Sequence, residues 1–150
     1  MKKNINLLYY WDAEGYEKWQ KIFSEKAPDI KVFNKDNCLE DDIDVALVWL
    51  PPKGFLKKYK NLKGVINLGQ GVDHLLIPGV VPEKIPIIRL VDEDMSKQMA
   101  GWVSLQILRE TCFLNDYLEQ QKNKIWKTVN FIPGNNWTIG IMGIGAIGSH

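Results

Sequence analysis

Residues 138–150 read TIGIMGIGAIGSH, and this stretch places a short apolar segment directly before a glycine-rich turn. Thr138–Met142 has strand character, and the six residues after it, GIGAIG, match the pattern G-x-G-x-x-G. In a dinucleotide-binding fold, Gly143 would make the tight turn, Gly145 would let a pyrophosphate approach the backbone, and Gly148 would let the next helix pack on the strand. The stretch therefore predicts the first strand and turn of a Rossmann-type dinucleotide site, with a ligand-free glycine turn as the alternative.

Phosphate binding at such a turn depends on backbone N–H groups. Ala146 and Ile147 stand between the last two glycines, just before the helix that would offer free N–H groups and the positive end of its dipole. The sequence stops at His150, two residues after Gly148. The acidic residue that would hold the ribose about 20 positions further on is not in this sequence, so the choice between NAD and NADP stays open.

The composition is that of an ordinary globular protein and argues against several classes. Among 150 residues, 19 are basic and 18 acidic, so the net charge of +1 favours neither nucleic acid nor a membrane surface. Cys38 and Cys112 have no metal-ligand spacing, and two thiols fit a reducing cytoplasm better than a disulfide framework. The N-terminus lacks the apolar core of a signal peptide, and no apolar run approaches the ~20 residues that a membrane helix needs. We therefore expect a soluble, cytoplasmic protein without a metal, a nucleic-acid partner or a membrane partner.

The first 91 residues alternate between apolar runs and helical patterns. Helices are predicted at Asp12–Lys26 and Phe55–Leu62. Strands are predicted at Ile5–Trp11, Ile30–Phe33, Val45–Leu50, Val65–Leu68 and Ile87–Val91. This β-α-β alternation with short connections predicts an α/β fold, in which residues 1–91 form an open parallel sheet with helices on both faces.

A second glycine segment, Gly69-Gln70-Gly71, directly follows one of the predicted buried strands. Ligands of open α/β sheets bind at the carboxyl ends of the strands. Successive backbone N–H groups at such a turn can hold a carboxylate. The segment is therefore a candidate anion site, with a plain tight turn as the alternative.

A long helix is predicted from Met95 to Lys122. Carboxylates at its start suit the positive end of the helix dipole, with Asp94 or Ser96 as the N-cap. Its first half is apolar on more than one face, which predicts packing between two layers of its own chain or against a partner subunit. Gly101 within it should cost about 1 kcal/mol relative to alanine.

The order of these segments resembles that of the D-isomer-specific 2-hydroxyacid dehydrogenases, in particular their glyoxylate/hydroxypyruvate reductase A type. The resemblance covers essentially the whole sequence. Besides the long helix and the final glycine turn, it rests on three motifs, Ala46–Pro52 (ALVWLPP), Leu68–Leu75 (LGQGVDHL) and Arg89–Asp92 (RLVD). Members of this family reduce 2-keto acids such as glyoxylate and hydroxypyruvate to D-2-hydroxy acids with NADH or NADPH.

The resemblance implies a flavodoxin-like substrate domain at residues 1–91. It implies a hinge and dimerisation helix at 92–122, and a linker with the start of an NAD(P)-binding Rossmann domain at 123–150. The catalytic arginine, glutamate and histidine of the family lie beyond the cofactor turn. The sequence is therefore expected to be the N-terminal part of a homodimeric oxidoreductase, with no catalytic residue of its own and no turnover as an isolated chain.

The same resemblance assigns site residues at the ends of two predicted strands. The N–H groups of Gln70 and Gly71 would hold the substrate carboxylate, and Gln70 would also lie near the nicotinamide of a cofactor whose pyrophosphate meets the final glycine turn. Trp49 and Leu50 would line the mouth of the substrate site. The residues themselves leave alternatives open, since Trp49 can be a core residue and His74 can be a packing or capping residue rather than a base.

Two functions from different classes remain. The first is part of an NAD(P)H-dependent reductase of small 2-keto acids. The second is a non-catalytic flavodoxin-like module that binds or dimerises. The coding sequence downstream of His150 separates them, because a continuation that carries the rest of a Rossmann domain favours the enzyme.

Overall fold

The chain forms two compact units, residues 1–91 and residues 92–150. The computed structural model describes residues 4–130 and 132–150. The first unit is an α/β unit built on a sheet, and the second consists of helices followed by turns. Among the described residues, no helix is long and apolar enough to cross a membrane.

The sheet of the first unit has five parallel strands. These are β1 (Ile5–Tyr10), β2 (Ile30–Phe33), β3 (Val45–Val48), β4 (Gly64–Asn67) and β5 (Ile87–Ile88). They lie in the order β2-β1-β3-β4-β5, and every neighbouring pair is parallel. This is the flavodoxin-like order, in which strand addition changes direction between β1 and β3. The predicted fold class is confirmed.

Alternating strand residues supply two apolar cores, one on each face of the sheet. On one face, buried strand side chains pack with the apolar stripe of α1 (Ala13–Lys26), which begins at its N-cap Asp12. The buried residues of this face are Leu7, Tyr9, Val32 and Leu47. The larger core on the other face contains Leu8, Ile43, Ala46, Val48, Leu56, Tyr59, Leu62, Val65, Leu75 and Val80. Both faces of the sheet are therefore covered, as expected for parallel strands.

The predicted helix at Phe55–Leu62 is wrong in type and length. The structure has a 3₁₀ helix over Phe55–Lys58. Leu56, Tyr59 and Leu62 are all buried, and their spacing of three residues matches the three residues per turn of a 3₁₀ helix. The N–H of Tyr59 donates to the carbonyl of Leu56 (3.3 Å), and that of Leu62 donates to the carbonyl of Tyr59 (3.2 Å). The three buried side chains therefore follow the spacing of the 3₁₀ helix and of the two i→i−3 turns after it.

The predicted continuous helix from Met95 to Lys122 is also wrong. It is two helices, α2 (Glu93–Thr111) and α3 (Leu114–Lys122). Phe113 between them has φ of 56°, a left-handed backbone that ends an α-helix. Thr111, Cys112 and Phe113 are all weak helix formers, which makes this the point where the helix breaks.

Side-chain hydrogen bonds span the break between α2 and α3. Asn115 Oδ1 accepts from Arg109 Nη2 (2.6 Å), and Asn115 Nδ2 donates to Glu110 Oε1 (3.0 Å). These bonds tie the first turn of α3 to the last turn of α2. They therefore stabilise the bent arrangement over a straight helix.

The start of α2 differs from the prediction by a few residues. Its N-cap is Asp92, rather than Asp94 or Ser96. Asp92 Oδ1 accepts from the backbone N–H groups of Asp94 (3.0 Å) and Met95 (3.3 Å). These are two of the N–H groups that have no partner within the helix itself.

The predicted strand at Thr138–Met142 is not formed. These residues are irregular, and among the described residues they pair with no strand of the sheet. An isolated apolar segment has no ladder partner for its backbone N–H and C=O groups, so strand character alone does not make it a strand.

The apolar face of α2 is less buried than its sequence predicted. Met99, Trp102, Leu105 and Leu108 are all exposed. Among the described residues, none buries these four side chains. Contact with a partner subunit stays a prediction.

Candidate functional site

The register of the sheet brings three strand ends to one edge. Val48 at the end of β3 pairs with Tyr10 of β1 on one side and with Asn67 of β4 on the other. The ladder continues one step further, because the N–H of Trp49 donates to the carbonyl of Tyr10 (3.0 Å) and that of Leu68 donates to the carbonyl of Val48 (3.0 Å). The predicted residues that follow β3 and β4 therefore lie side by side at the carboxyl edge.

Trp49 is half-buried at this edge and touches the glycine loop. A Cβ added at Gly69 would lie 2.5 Å from Cζ3 of the indole, so the ring lies flush against a residue with no side chain. The Trp49 ring also has Trp11 at a centroid distance of 6.2 Å and His74 at 4.8 Å, the latter edge-on. The indole is thus packed between two rings and the loop, and it lines one side of the carboxyl edge.

The segment Gly69-Gln70-Gly71 leaves the sheet at the end of β4. The carbonyl of Gly69 accepts from the N–H of Leu90 (3.2 Å) after β5 and from Asn67 Nδ2 (2.9 Å). The carbonyl of Gly71 accepts from the same Asn67 nitrogen (2.7 Å). Sequence reasoning missed Asn67, although a lone amide in an apolar strand just before a glycine loop was a signal for it.

Leu50 follows Trp49 with φ of 47°, a left-handed backbone, and is 58% exposed. It is succeeded by the buried Pro51. A leucine in this region is strained by about 1–3 kcal/mol, and such strain is concentrated at functional sites. The side chain thus stands beside Trp49 at the edge but contributes little to the core.

His74 and Asp73 follow the loop in a turn rather than a helix. The ring of His74 packs against Trp49, and its Nε2 atom is buried without a hydrogen-bond partner among the described residues. Asp73 is exposed, and its carbonyl accepts from the N–H of Leu76 (3.2 Å). This packed arrangement favours the structural interpretation of His74 over a role as a base.

The final glycine turn belongs to the second unit. Gly143 has φ of +94°, a conformation that glycine adopts without strain. A Cβ at Gly148 would lie 2.1 Å from the carbonyl oxygen of Gly143, so only glycine fits there. The N–H of Ser149 donates to the carbonyl of Gly145 (3.0 Å), which closes one α-type turn over Ala146 and Ile147.

The described residues contain no group of three or more His, Cys, Asp or Glu side chains arranged to hold a metal ion. Both cysteines are free thiols. The groups at the carboxyl edge that can bind a ligand are the backbone amides of the glycine loop, which lie beside aromatic side chains. The turn in the second unit offers backbone amides at the start of a helical turn.

Comparison with curated proteins shows a relative over nearly the whole chain. The glyoxylate/hydroxypyruvate reductase A of Yersinia enterocolitica is 32% identical over 149 residues, which cover 96% of this chain and 48% of that protein. The chain spans about half the length of the curated relatives it matches. No protein-family model matches the sequence.

Solved structures give the same result. A D-isomer-specific 2-hydroxyacid dehydrogenase from Xanthobacter autotrophicus, in complex with NADPH and MES, superposes with a TM-score of 0.82 at 30% identity, over 97% of this chain and 48% of that one. An NADPH-dependent glyoxylate/hydroxypyruvate reductase from Sinorhizobium meliloti, in complex with NADP and sulfate, gives 0.77 at 26% identity, over 96% and 46%. The resemblance predicted from the motifs is thus confirmed in sequence and in fold.

Proposed function

We propose that this chain supplies the substrate-recognition part, and the start of the cofactor site, of an NAD(P)H-dependent reductase of small 2-keto acids. The observation that carries the proposal is the Gly69–Gly71 loop at the carboxyl edge of a flavodoxin-like sheet, beside Trp49. Glyoxylate and hydroxypyruvate are the substrates we favour, because the relatives similar over 96% of the chain bear their names. The product would be a D-2-hydroxy acid.

The substrate carboxylate would bind to the backbone N–H groups of Gln70 and Gly71. Donors on the backbone of a short loop hold an anion without a charged side chain. Trp49 and Leu50 would line the mouth, where the indole excludes water from one side of the substrate. A dry site strengthens the hydrogen bonds to the carboxylate.

The cofactor would be NAD or NADP, as in the relatives that hold NADPH or NADP. Its pyrophosphate would lie against Gly143–Gly148, where Gly145, Ala146, Ile147 and Gly148 leave the backbone accessible. When bound, the nicotinamide supplies a hydride to the keto carbon, and a proton is added to the oxygen. In this proposal the proton donor and the cation that polarises the carbonyl come from sequence outside residues 1–150.

A chimera tests the proposal directly. Residues 1–150 replace the matching segment of the Yersinia enterocolitica reductase, and NADPH consumption is followed with glyoxylate and with hydroxypyruvate. We expect turnover by the chimera and none by the 150-residue chain alone. A folded chimera that binds NADPH yet reduces neither acid would contradict the proposal, and so would turnover by the chain alone.

We also propose that two copies associate through residues 95–122, in a cytoplasmic protein. The support is the row of exposed apolar side chains on α2, including Trp102, because exposed apolar patches of several hundred Å² favour association. Light scattering should show a dimer that Trp102→Ser weakens. Trp126→Ser is the matched control, since Trp126 is also an exposed tryptophan but lies outside the segment. A monomer at high concentration would exclude this dimer.

A further inference from the structure

Asn67 is the last residue of β4 and is only 1% exposed. Its Nδ2 atom donates to the carbonyl oxygens of Gly69 (2.9 Å) and Gly71 (2.7 Å). One side-chain amide therefore holds both glycines of the loop that the proposed function assigns to the substrate carboxylate.

The orientation of this amide follows from its neighbours. Both neighbours are carbonyl oxygens, which only accept, so the amide must present its NH₂ group to them. The opposite atom, Asn67 Oδ1, is buried and has no hydrogen-bond partner among the described residues. A buried acceptor without a partner costs stability, which offsets part of what the two donated bonds contribute.

The two bonds fix the direction of the two peptides on either side of the Gln70–Gly71 peptide. A trans peptide places its C=O and N–H on opposite sides, and the described chain contains no cis peptide. Because the carbonyl of Gly69 turns toward Asn67, the N–H of Gln70 turns away from it. The carbonyl of Gly71 likewise directs the N–H of Val72 away. Glycine peptides rotate easily without such a restraint.

We propose that Asn67 is a positioning residue, which holds the Gly69–Gly71 loop so that its backbone N–H groups face a bound carboxylate. The inference rests on the proposed function for the identity of the ligand, and on the two hydrogen bonds for the mechanism. Asn67 itself is buried behind the loop and acts through the peptides Gly69–Gln70 and Gly71–Val72, which flank the N–H of Gly71 on both sides.

Loss of Asn67 should release the loop without unfolding the sheet. The carbonyl of Gly69 keeps its bond from the N–H of Leu90 (3.2 Å). Gly71 is exposed, so its carbonyl can turn to water. An apolar side chain at position 67 would also remove the unpartnered Oδ1. The effect of the substitution is therefore concentrated on loop orientation.

The test uses the isotope-labelled 150-residue chain, with oxalate as the carboxylate probe in an NMR titration. Asn67→Leu keeps the branch at Cγ and removes both donated bonds, and Asn67→Ala, which adds no bulk to this buried position, is the second variant. Asn61→Ala is the matched control, because Asn61 is an exposed asparagine whose Nδ2 donates to the carbonyl of Asp41 (2.6 Å), away from the loop.

We expect oxalate to shift the amide signals of Gln70 and Gly71 in the wild type and in the control. In Asn67→Leu the dissociation constant should rise at least about tenfold, which corresponds to about 1.4 kcal/mol. The amide signals of Leu7 in β1 and Val32 in β2, which do not neighbour position 67, should stay in place, which shows that the sheet is intact. Equal oxalate affinity in a folded Asn67→Leu variant would overturn the inference.

A second readout separates this inference from the proposed function. If oxalate does not bind the wild type, the carboxylate site of the proposed function is contradicted. The positioning role of Asn67 is then tested by ¹⁵N relaxation of the unliganded chain. Increased motion of Gln70 and Gly71 in Asn67→Leu and Asn67→Ala, but not in Asn61→Ala, supports the positioning role. Unchanged order in both Asn67 variants overturns it.

Discussion

Adding a single methyl group at Gly69 tests whether Trp49 is held against the glycine loop. In Gly69→Ala the new Cβ would lie 2.5 Å from Cζ3, 3.0 Å from Cη2 and 3.4 Å from Cε3 of the indole. Carbon atoms in ordinary contact are about 3.5–4.0 Å apart. The ring must therefore retreat by about 1 Å, or the loop must move by a similar distance.

The cost depends on what stands behind the ring. His74 lies edge-on at a centroid distance of 4.8 Å and Trp11 lies at 6.2 Å, so the indole cannot retreat without disturbing a neighbour. Overpacking of this kind costs about 1–3 kcal/mol. In a unit of this size, each kcal/mol lowers the melting temperature by about 4–8 °C.

Gly64→Ala is the matched control. Gly64 begins the same strand, β4, and a Cβ added there would meet only the carbonyl oxygen of Pro86, at 4.0 Å. An ordinary van der Waals contact requires no movement. We therefore expect the control to unfold within about 0.5 kcal/mol of the wild type.

Urea unfolding measures the loss of stability, and the indole N–H region of a ¹H–¹⁵N spectrum shows whether the Trp49 ring moves. The chain has 6 tryptophans, and Trp49→Phe identifies the signal of Trp49. In Gly69→Ala that signal should move and the free energy of unfolding should fall, whereas Trp19 on α1 should be unaffected. A variant as stable as the wild type with an unmoved Trp49 signal would refute the packing argument.

Three further outcomes are expected. Lys124→Gly should stabilise the end of α3 by about 1 kcal/mol, because Lys124 has φ of 55° in the left-handed turn that closes the helix; hydrogen exchange in the last turn of α3 should slow. Gly148→Ala should weaken NADPH binding by the chimera, because the new Cβ would lie 2.1 Å from the carbonyl oxygen of Gly143, and unchanged affinity would contradict this. The free energy of unfolding should fall as pH rises past about 10. Burial, and then the contact with the Cys38 thiol, raise the pKa of Tyr59 above its ordinary value, so the folded state keeps a proton that the unfolded state releases. Tyr59→Phe should reduce this loss of stability in urea titrations at high pH.

The sheet could be predicted from the sequence because its signals are local. Ile30–Phe33 has the predicted bounds, and the other four strands begin within one residue of prediction but end early. Val45–Leu50 shows the reason. The apolar run continues to Leu50, but the backbone leaves the ladder after Val48 and turns left-handed at Leu50. A run of apolar residues indicates burial, but it does not indicate where the hydrogen bonds between strands end.

The helix break at Phe113 could not be predicted from periodicity. The apolar spacing runs through it without a glycine or proline to mark an end. What stabilises the bend is the set of side-chain bonds from Asn115 to Arg109 and Glu110. These bonds form only once the bend exists, so a pattern of single residues does not reveal them.

The candidate site shows the same division between local and non-local signals. Ligands lie at the carboxyl ends of parallel strands, and this rule predicts a site in the segments after β3 and β4. In the structure, Trp49 from one of these segments lies against Gly69 from the other. The double hydrogen bond of Asn67 was missed, because an asparagine two residues before a glycine has no fixed partner in sequence. Its role depends on how the loop folds back over the strand end.

The two glycine segments differ in what supports them. The loop at Gly69–Gly71 is tied to its own sheet by Asn67 and by the N–H of Leu90. The turn at Gly143–Gly148 is shaped by its own glycines and by backbone bonds from Ser149 to Gly145 and from His150 to Ile147. The apolar segment before it pairs with no strand among the described residues. A site is only as well ordered as the elements that carry it. Carboxylate recognition should therefore be the property that this chain shows by itself, whereas cofactor binding should depend on strands that pair with Thr138–Met142.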